Sequence, residues 1–271
     1  MLHHASSSGV RIAYSIEGVE GAPVVMLANS LAADRSMWSE NLPALTREFR
    51  VLRYDMRGHG ASDAPAGDYT LEMLTDDAVA VLDHASLERV HFVGVSLGGI
   101  VGQRLGALHG HRLHSLALCN TMSHQGAPQA WRDRIPVVRE QGMQSMLEST
   151  VARWFTASYA SDHPQAMERI RRMILGTSVN GYCGCAAAVS TLAQTALLDK
   201  IRVPTLVLTG REDPAATPAM ATDMHGRIEG SELQIIEDAA HLPNIERAAM
   251  FDAVMIDFIA RHAPKATSAS R

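Results

Sequence analysis

The sequence predicts an α/β fold in which a mostly parallel central sheet carries helices on both faces. Short apolar runs of strand length alternate along the chain with segments of helical period. Several of these runs are continuously apolar, as strands covered on both faces must be. The predicted strands are residues 11–17, 23–28, 51–55, 90–95, 113–119, 205–210 and 233–236.

Helical periodicity defines the remaining organisation. The alternation of strands and helices stops between about residues 122 and 196, where the chain is helix-like throughout. This interruption predicts a helical cap, residues 122–196, inserted into a core formed by residues 1–121 and 197–271. We expect the polar tail after His262 to be frayed. Two core helices are predicted from apolar residues at helical spacing: Leu71, Leu74, Ala78 and Leu82, and Phe251, Val254, Phe258 and Ile259.

Composition and charge exclude several classes of function. The 271 residues are 46% hydrophobic and 20% charged, which is typical of a globular protein. A net charge of −5 argues against a nucleic-acid partner. The N-terminal segment lacks the features of a signal peptide, and no apolar run approaches a membrane span, so we expect a cytoplasmic protein without a membrane partner. Three cysteines, Cys119, Cys183 and Cys185, are too few for a disulfide framework, and no metal site is predicted.

Ser96 lies in the segment G-V-S-L-G at residues 94–98, between an apolar strand and an apolar helix. A serine exposed at the carboxyl end of a central strand requires a sharp turn, in which side chains two residues before and after it would clash. Gly94 and Gly98 relieve that crowding. The helix N-terminus then directs N–H groups and a positive dipole at the space over Ser96. We interpret Ser96 as a nucleophile; the alternative is a structural glycine turn that happens to hold a serine.

A serine nucleophile needs a base and an acid that orients the base. Asp213 follows the strand at 205–210, and His241 follows the strand at 233–236, so both are predicted at the carboxyl edge of the sheet. The chain order of Ser, acid and His is the one expected for this arrangement. Glu212 and Asp238 are competing acids.

Two backbone N–H groups are predicted to form an oxyanion hole. The loop after the strand at 23–28 supplies Leu31, and the first residue after the nucleophile supplies Leu97. In the alternative interpretation, Asn29 and Ser30 are ordinary turn residues.

Seven motifs resemble those of the 3-oxoadipate enol-lactonases of the α/β-hydrolase superfamily. They are NSLAADRSMW at 29–38, RYDMRGHGASD at 53–63, GVSLGG at 94–99, LCNT at 118–121, RWFT at 153–156, GY at 181–182 and AHLPNIE at 240–246. The resemblance implies an α/β-hydrolase fold and hydrolysis of 3-oxoadipate enol-lactone in the β-ketoadipate route of aromatic catabolism, without a cofactor. It also implies the triad Ser96, Asp213 and His241. Ala32 and Ala33 depart from the Gly-Thr expected in many relatives.

The small-molecule lactone substrate implied by this resemblance carries a carboxylate, so its pocket needs a cation. The predicted cap has seven Arg and five acidic residues, whereas the rest of the chain is strongly acidic. We hypothesise that Arg134 or Arg139 pairs with the substrate carboxylate, the alternative being solvated arginines on a helix face. Trp131 and Trp154 are expected to line the pocket or to pack the cap on the core.

Other residues and functions complete the set of expectations. Trp38 is interpreted as a core residue, and Arg57 and His59 as loop-forming residues. A general carboxylesterase, or a hydrolase of other lactones or of C–C bonds, would use the same triad. A small-molecule receptor on the same fold is a third possibility, and the oligomeric state is left open.

Overall fold

A computed structural model describes residues 1–264, so the predicted frayed tail lies, from residue 265 onward, outside the described residues. Within residues 1–264 the strands are β1 Leu2–Ser7, β2 Val10–Gly18, β3 Val24–Ala28, β4 Arg50–Tyr54, β5 Val90–Val95, β6 Leu113–Cys119, β7 Thr205–Gly210 and β8 Glu232–Ile236. They form one sheet in the order β1-β2-β4-β3-β5-β6-β7-β8. The pairs β1–β2 and β2–β4 are antiparallel, and every other pair is parallel.

The predicted strands are confirmed, each within one residue of its expected bounds. The central strand β5 is buried at all six positions, as its continuous apolar run predicts. Strand β1 was not predicted. It lies at the sheet edge, and its segment L-H-H-A-S-S buries only Ala5 and Ser7 fully, so it has too few apolar residues to be recognised.

The described helices are α1 Leu42–Leu45, α2 Leu71–His84, α3 Leu97–Leu108, α4 Pro128–Gln141, α5 Leu147–Trp154, α6 Ala157–Asp162, α7 Pro164–Leu175, α8 Val179–Ser190, α9 Thr195–Leu198, α10 Pro218–Arg227, α11 Pro243–Glu246 and α12 Ala248–His262. Helices α2 and α12 occupy the two segments with predicted helical spacing. In the core, α2 packs on α3, while α9 contacts both α3 and α10. Helices α1 and α11 both contact α12. None of the described helices is long and apolar enough to cross a membrane.

The segment between β6 and β7 is helical, as the sequence predicts. It contains α4 to α8, and its described β structure is limited to an isolated bridge between His124 and Ala193. Helix α4 packs along α8. Helix α8 meets the core at Gly181, whose backbone lies so close to Gly58 that a Cβ on either residue would overlap the other. Helix α9 crosses the expected boundary at residue 196, and the division into core and cap stays a prediction.

The core includes the side chain of Trp38, as expected. Its ring is fully buried, stacks at a tilt against Phe251, and donates its Nε1–H to Asn29 Oδ1 at 2.9 Å. Buried polar atoms of this kind need a partner, and the hydrogen bond ties the loop after β3 to the helical turn at residues 35–38. The three cysteines are free and buried.

Candidate active site

Six parallel strands, β3 to β8, end at the same edge of the sheet. Ser96 follows β5, Asp213 lies in the loop after β7, and His241 lies in the loop after β8. Ser96 and His241 line a single cavity of about 400 Å³. A cavity of this size suits a small organic molecule.

The backbone at Ser96 forms the strained turn that the sequence predicts. Its φ of 57° and ψ of −112° lie in a region that L residues rarely adopt. Its N–H donates to Cys119 O at 2.9 Å, which ties the turn to β6. A Cβ at Gly94 would overlap the carbonyl of Gly98, and a Cβ at Gly98 would overlap that of Ala28. Both contacts are with backbone atoms that cannot move aside, so this turn requires glycine at both positions.

His241 and Asp213 form a buried pair, because His241 Nδ1 lies 2.8 Å from Asp213 Oδ2. The N–H groups of Ala215 and Ala216 donate to Asp213 Oδ1 at 2.8 and 3.0 Å. The side-chain amide of Asn120 donates to Oδ2 at 2.8 Å. Burial raises the pKa of the Asp213 carboxyl, but His241 and these donors outweigh it and hold that pKa below its usual value. The carboxylate therefore stays ionised and accepts the Nδ1 proton, which leaves Nε2 able to take a proton.

Ser96 and His241, the predicted nucleophile and base, face one cavity. Within residues 1–264, no hydrogen bond joins Ser96 Oγ to His241, although both side chains line the space described above. Such contacts are often long in the absence of substrate and shorten when the reacting complex forms.

The competing acids lie elsewhere. Glu212 is exposed, and the side chain of Asp238 is 78% exposed and pairs with Arg247 at 3.5 Å. Within the described part of the chain, neither carboxylate hydrogen-bonds to His241.

Two backbone N–H groups at the carboxyl edge of the sheet have no hydrogen-bond acceptor among the described residues. Neither Leu31 N nor Leu97 N donates a hydrogen bond to any described residue. The N–H groups next to them are in use: Ala32 N donates to His59 Nε2 at 3.1 Å, and Gly98 N donates to Asn29 O at 3.0 Å. Donors left free at a helix N-terminus and beside it can stabilise a developing oxyanion.

His59 and Arg57 hold the loop that carries Leu31, in agreement with their interpretation as loop-forming residues. Burial lowers the pKa of His59 to about 4, so its ring is neutral at pH 7. The neutral ring donates from Nδ1 to Arg57 O at 3.1 Å and accepts the Ala32 N–H at Nε2. Arg57 forms a buried two-point ion pair with Asp77 at 2.6 and 2.9 Å. Ala32 itself has a φ of 66°, so this loop has a strained shape that its neighbours must maintain.

Helices α4 and α5 of the predicted cap also line the cavity. Trp131 and Trp154 both line it, as does Arg134, whose guanidinium carbon lies 4.2 Å from the centre of the Trp131 ring. Stacking of this kind holds a guanidinium in a defined plane while leaving its N–H groups available.

The structure does not bring Arg139 to this cavity. Its side chain is 58% exposed and lies 3.7 Å from Asp68. A different arginine, Arg153, lines the cavity with Arg134, and among residues 1–264 neither of these two forms an ion pair with a carboxylate. Burial lowers the pKa of Arg153, with a smaller contribution from the charge of Arg134. The cavity thus contains two cations without an acidic partner among the described residues.

Sequence reasoning missed three residues of the site: Asn120, Arg153 and Tyr182. Asn120 directly follows β6, so the position that singled out Asp213 also applied to it. Arg153 and Tyr182 lie in motifs R-W-F-T and G-Y, but nothing in the sequence indicates which helix face meets the cavity.

A serine at a strained strand-to-helix turn, beside an Asp–His pair from later strand ends, defines a serine hydrolase of the α/β-hydrolase type. A family model described as the alpha/beta hydrolase fold matches residues 23–248. Sequence similarity to known proteins identifies a family within this class. The 3-oxoadipate enol-lactonase 2 of Acinetobacter baylyi is 32% identical over 247 residues, which cover 91% of this chain and 92% of that protein.

Solved structures agree with this class. The enol-lactonase from Burkholderia xenovorans LB400 superposes with a TM-score of 0.93 at 38% identity, covering 95% of this chain and 100% of that chain. A thermophilic esterase from Thermogutta terrifontis, solved with malate bound, has a TM-score of 0.91 at 28% identity, covering 97% and 100%. The chain belongs to the 3-oxoadipate enol-lactonase family of α/β hydrolases, which confirms the resemblance seen in its motifs.

Proposed function

We propose that this protein hydrolyses 3-oxoadipate enol-lactone to 3-oxoadipate, a step of the β-ketoadipate route of aromatic catabolism, without a cofactor. One observation carries the proposal: a single cavity contains the strained Ser96, the His241 imidazole and two cap arginines without an acidic partner among the described residues. Such a cavity can bind a substrate that has both groups: the serine attacks its ester carbonyl, and an arginine binds its carboxylate. The relatives named above support the same substrate.

In this mechanism, Ser96 Oγ attacks the lactone carbonyl while His241 Nε2 takes the hydroxyl proton. The buried Asp213 carboxylate stabilises the imidazolium that forms. The N–H groups of Leu31 and Leu97 donate to the oxyanion of the tetrahedral intermediate. The ring C–O bond then breaks, and the enol oxygen leaves with the proton from His241.

The second half of the reaction regenerates the enzyme. His241 takes a proton from water, and the resulting hydroxide attacks the acyl group on Ser96. As the Ser96–acyl bond breaks, His241 returns the proton to Ser96 Oγ and the second carboxylate of the product is released. The freed enol becomes a ketone. The enol oxygen is a better leaving group than an alkoxide, which favours ring opening. The chemistry therefore requires no metal ion or cofactor.

We propose that Arg134 binds the substrate carboxylate. It lines the cavity, whereas Arg139 lies outside it beside Asp68. Trp131 and Trp154 also line the cavity and supply apolar surface. Because the guanidinium is held against Trp131, it loses little conformational freedom when it binds an anion.

A turnover assay on 3-oxoadipate enol-lactone tests the proposed function. Wild-type protein should hydrolyse the lactone faster than neutral aryl esters, and Ser96→Ala should lower kcat by about 10⁴-fold or more. Folding of the variant is checked by circular dichroism. A wild-type protein that cleaves neutral aryl esters rapidly and the lactone slowly would instead indicate a general carboxylesterase; the Thermogutta terrifontis relative is an esterase.

Arginine variants test the carboxylate site. Arg134→Ala should raise KM for the acidic lactone by about tenfold, the equivalent of one charge-assisted hydrogen bond of about 1.5 kcal/mol, with little change for a neutral ester. Arg139→Ala is the matched control, because it removes an arginine from the same helix outside the cavity. Equal KM changes for the two substrates, or for the two variants, would contradict the assignment.

A further inference from the structure

Two chain segments that face the cavity are joined directly beside it. The cap segment 153–156 contains Arg153 and Trp154 of the cavity wall, and the core segment 240–246 contains His241. Leu242 N–H donates to Trp154 O at 3.2 Å, which is one direct backbone link between them. The proposed base and these two cavity residues therefore lie on segments that are joined by a backbone hydrogen bond and that line the same cavity.

The Glu246 carboxylate forms the rest of this junction. Its Oε2 accepts the N–H of Ala240 at 2.8 Å, one residue before His241. Its Oε1 accepts the N–H of Thr156 at 3.0 Å and also the Thr156 hydroxyl. One carboxylate thus bridges the loop of the base and the cap, with one oxygen on each.

The three donors at this junction match a side chain that accepts hydrogen bonds at both of its oxygens. Glu246 is only 5% exposed, and within residues 1–264 it has no Arg, Lys or His at ion-pair distance. Its partners among the described residues are two N–H groups and one hydroxyl. Only a group that accepts at both oxygens satisfies all three donors, whereas the amide of a glutamine would direct its N–H groups either at the Ala240 N–H or at the two donors of Thr156. Burial of a polar group costs free energy unless hydrogen bonds compensate it, and these three bonds fix Glu246 between the two segments.

We infer that Glu246 is a positioning residue that couples the placement of the His241 imidazole to the placement of the cap residues that meet the substrate. The inference deepens the proposed function and rests on it for the roles of His241 and the cap arginines. Glu246 does not touch the reacting atoms. It fixes the distance between the base and the carboxylate-binding wall, so that an acidic substrate bound to the cap presents its carbonyl to Ser96 at the correct place.

Two effects follow from this coupling. Loss of the Oε2 bond frees the loop of His241 and slows hydrolysis of every ester. Loss of the Oε1 bonds frees segment 153–156, whose Arg153 lines the cavity together with Arg134, and weakens binding of acidic substrates only. A purely structural role would lower stability without either effect on the folded enzyme.

The test compares Glu246→Gln with wild type on two aryl esters of similar size, a neutral 4-nitrophenyl butyrate and mono-4-nitrophenyl glutarate, which carries a free carboxylate. Rates are expressed per active site labelled by a fluorophosphonate, so that unfolded protein does not contribute. Asp252→Asn is the matched control, because it neutralises another buried carboxylate that bonds Asn41 instead of the His241 loop. Thr156→Val and Thr156→Ser separate loss of the hydroxyl donor from its retention.

Glu246→Gln should lower kcat per labelled site by about tenfold on both esters, since displacements below 1 Å already reduce rates strongly. It should also raise KM for the glutarate ester by about threefold or more relative to the butyrate. Thr156→Val should raise this KM ratio to a lesser extent, with Thr156→Ser and Asp252→Asn close to wild type.

A change in only one of the two quantities overturns the coupling, as does a Glu246→Gln enzyme that matches Asp252→Asn in both. If Glu246→Gln fails to fold, an unchanged KM ratio in Thr156→Val overturns it instead. Enol-lactone turnover by the wild type is measured separately. A wild type that cleaves both aryl esters but not the lactone would reject the proposed substrate and leave this test intact.

Discussion

Replacing Asn120 tests whether the orientation and charge of Asp213 limit hydrolysis. The Asn120 amide donates to Asp213 Oδ2 at 2.8 Å and to Ala240 O at 3.1 Å, so it joins the acid to the loop of His241. Its φ of 45° is readily adopted by Asn or Gly and poorly by Ala. We therefore consider two variants, Asn120→Gly and Asn120→Ala, which lose the same amide and differ in backbone strain.

The magnitude follows from the bond to the carboxylate. A hydrogen bond to a charged group contributes about 1.5–3 kcal/mol, and Asp213 is buried, so solvent does not replace it. Each 1.36 kcal/mol corresponds to a factor of ten, so full expression in the transition state gives a fall in kcat of about 10-fold to about 150-fold. Asn120→Ala should show the same loss of kcat and an unfolding free energy lower by about a further 1 kcal/mol.

The pH dependence of stability gives an independent measurement of the effect of Asn120 on Asp213. Asn120 is one of the donors that hold the pKa of Asp213 below its usual value, so its removal raises that pKa. Asp213 is ionised above its pKa, and both the activity and the stability that it contributes are lost as pH falls through it. The midpoint of acid unfolding should therefore move to higher pH in both variants. An Asn120→Gly enzyme within about twofold of wild type at every pH would refute this account of the acid.

Two further substitutions test the turn at the nucleophile and a buried carboxyl group. Gly98→Ala should lower the unfolding free energy by about 3 kcal/mol or prevent folding, because its Cβ meets backbone atoms at the end of β3. Gly102→Ala is the control, since its Cβ meets only side-chain ends at 3.1 Å, and equal thermal midpoints for the two variants would contradict the reasoning. Burial raises the pKa of Asp252 to about 6, so wild-type stability should fall by up to about 3 kcal/mol as pH rises from about 4 to about 6. Denaturant titrations of Asp252→Asn across that range should lack this fall; a parallel decline in the variant would show that another group is responsible.

The sheet could be predicted from the sequence because its strands are continuously apolar. Residues 90–95 and 205–210 have few polar residues and end at glycine-containing turns, so both their existence and their bounds were readable. Strand β1 could not be found, since an edge strand buries little and has no apolar run. The candidate triad was inferred from the same information, because the carboxyl ends of parallel strands deliver their loop residues to one edge.

Contacts of the cap could not be predicted to the same degree. Arg134 and Arg139 lie five residues apart, which corresponds to about 140° around a helix, so they cannot both face the cavity. Periodicity alone does not say which of the two does so, because helix α4 is polar on much of its surface and only Val138 is fully buried. The bridge formed by Glu246 was equally hidden, since its partners are two backbone N–H groups and a hydroxyl from distant segments.

The direct contact between Gly58 and Gly181 bears on how enzymes of this type could diversify. A larger residue at either position would separate α8, which contains Tyr182, from the loop of Arg57 and His59. That loop supports the proposed oxyanion site. Changes of substrate preference are therefore expected to accumulate in α4 and α5, whose side chains line the cavity without touching that contact. New specificities could then arise by exchange of these two helices while the ancestral reaction centre is inherited intact.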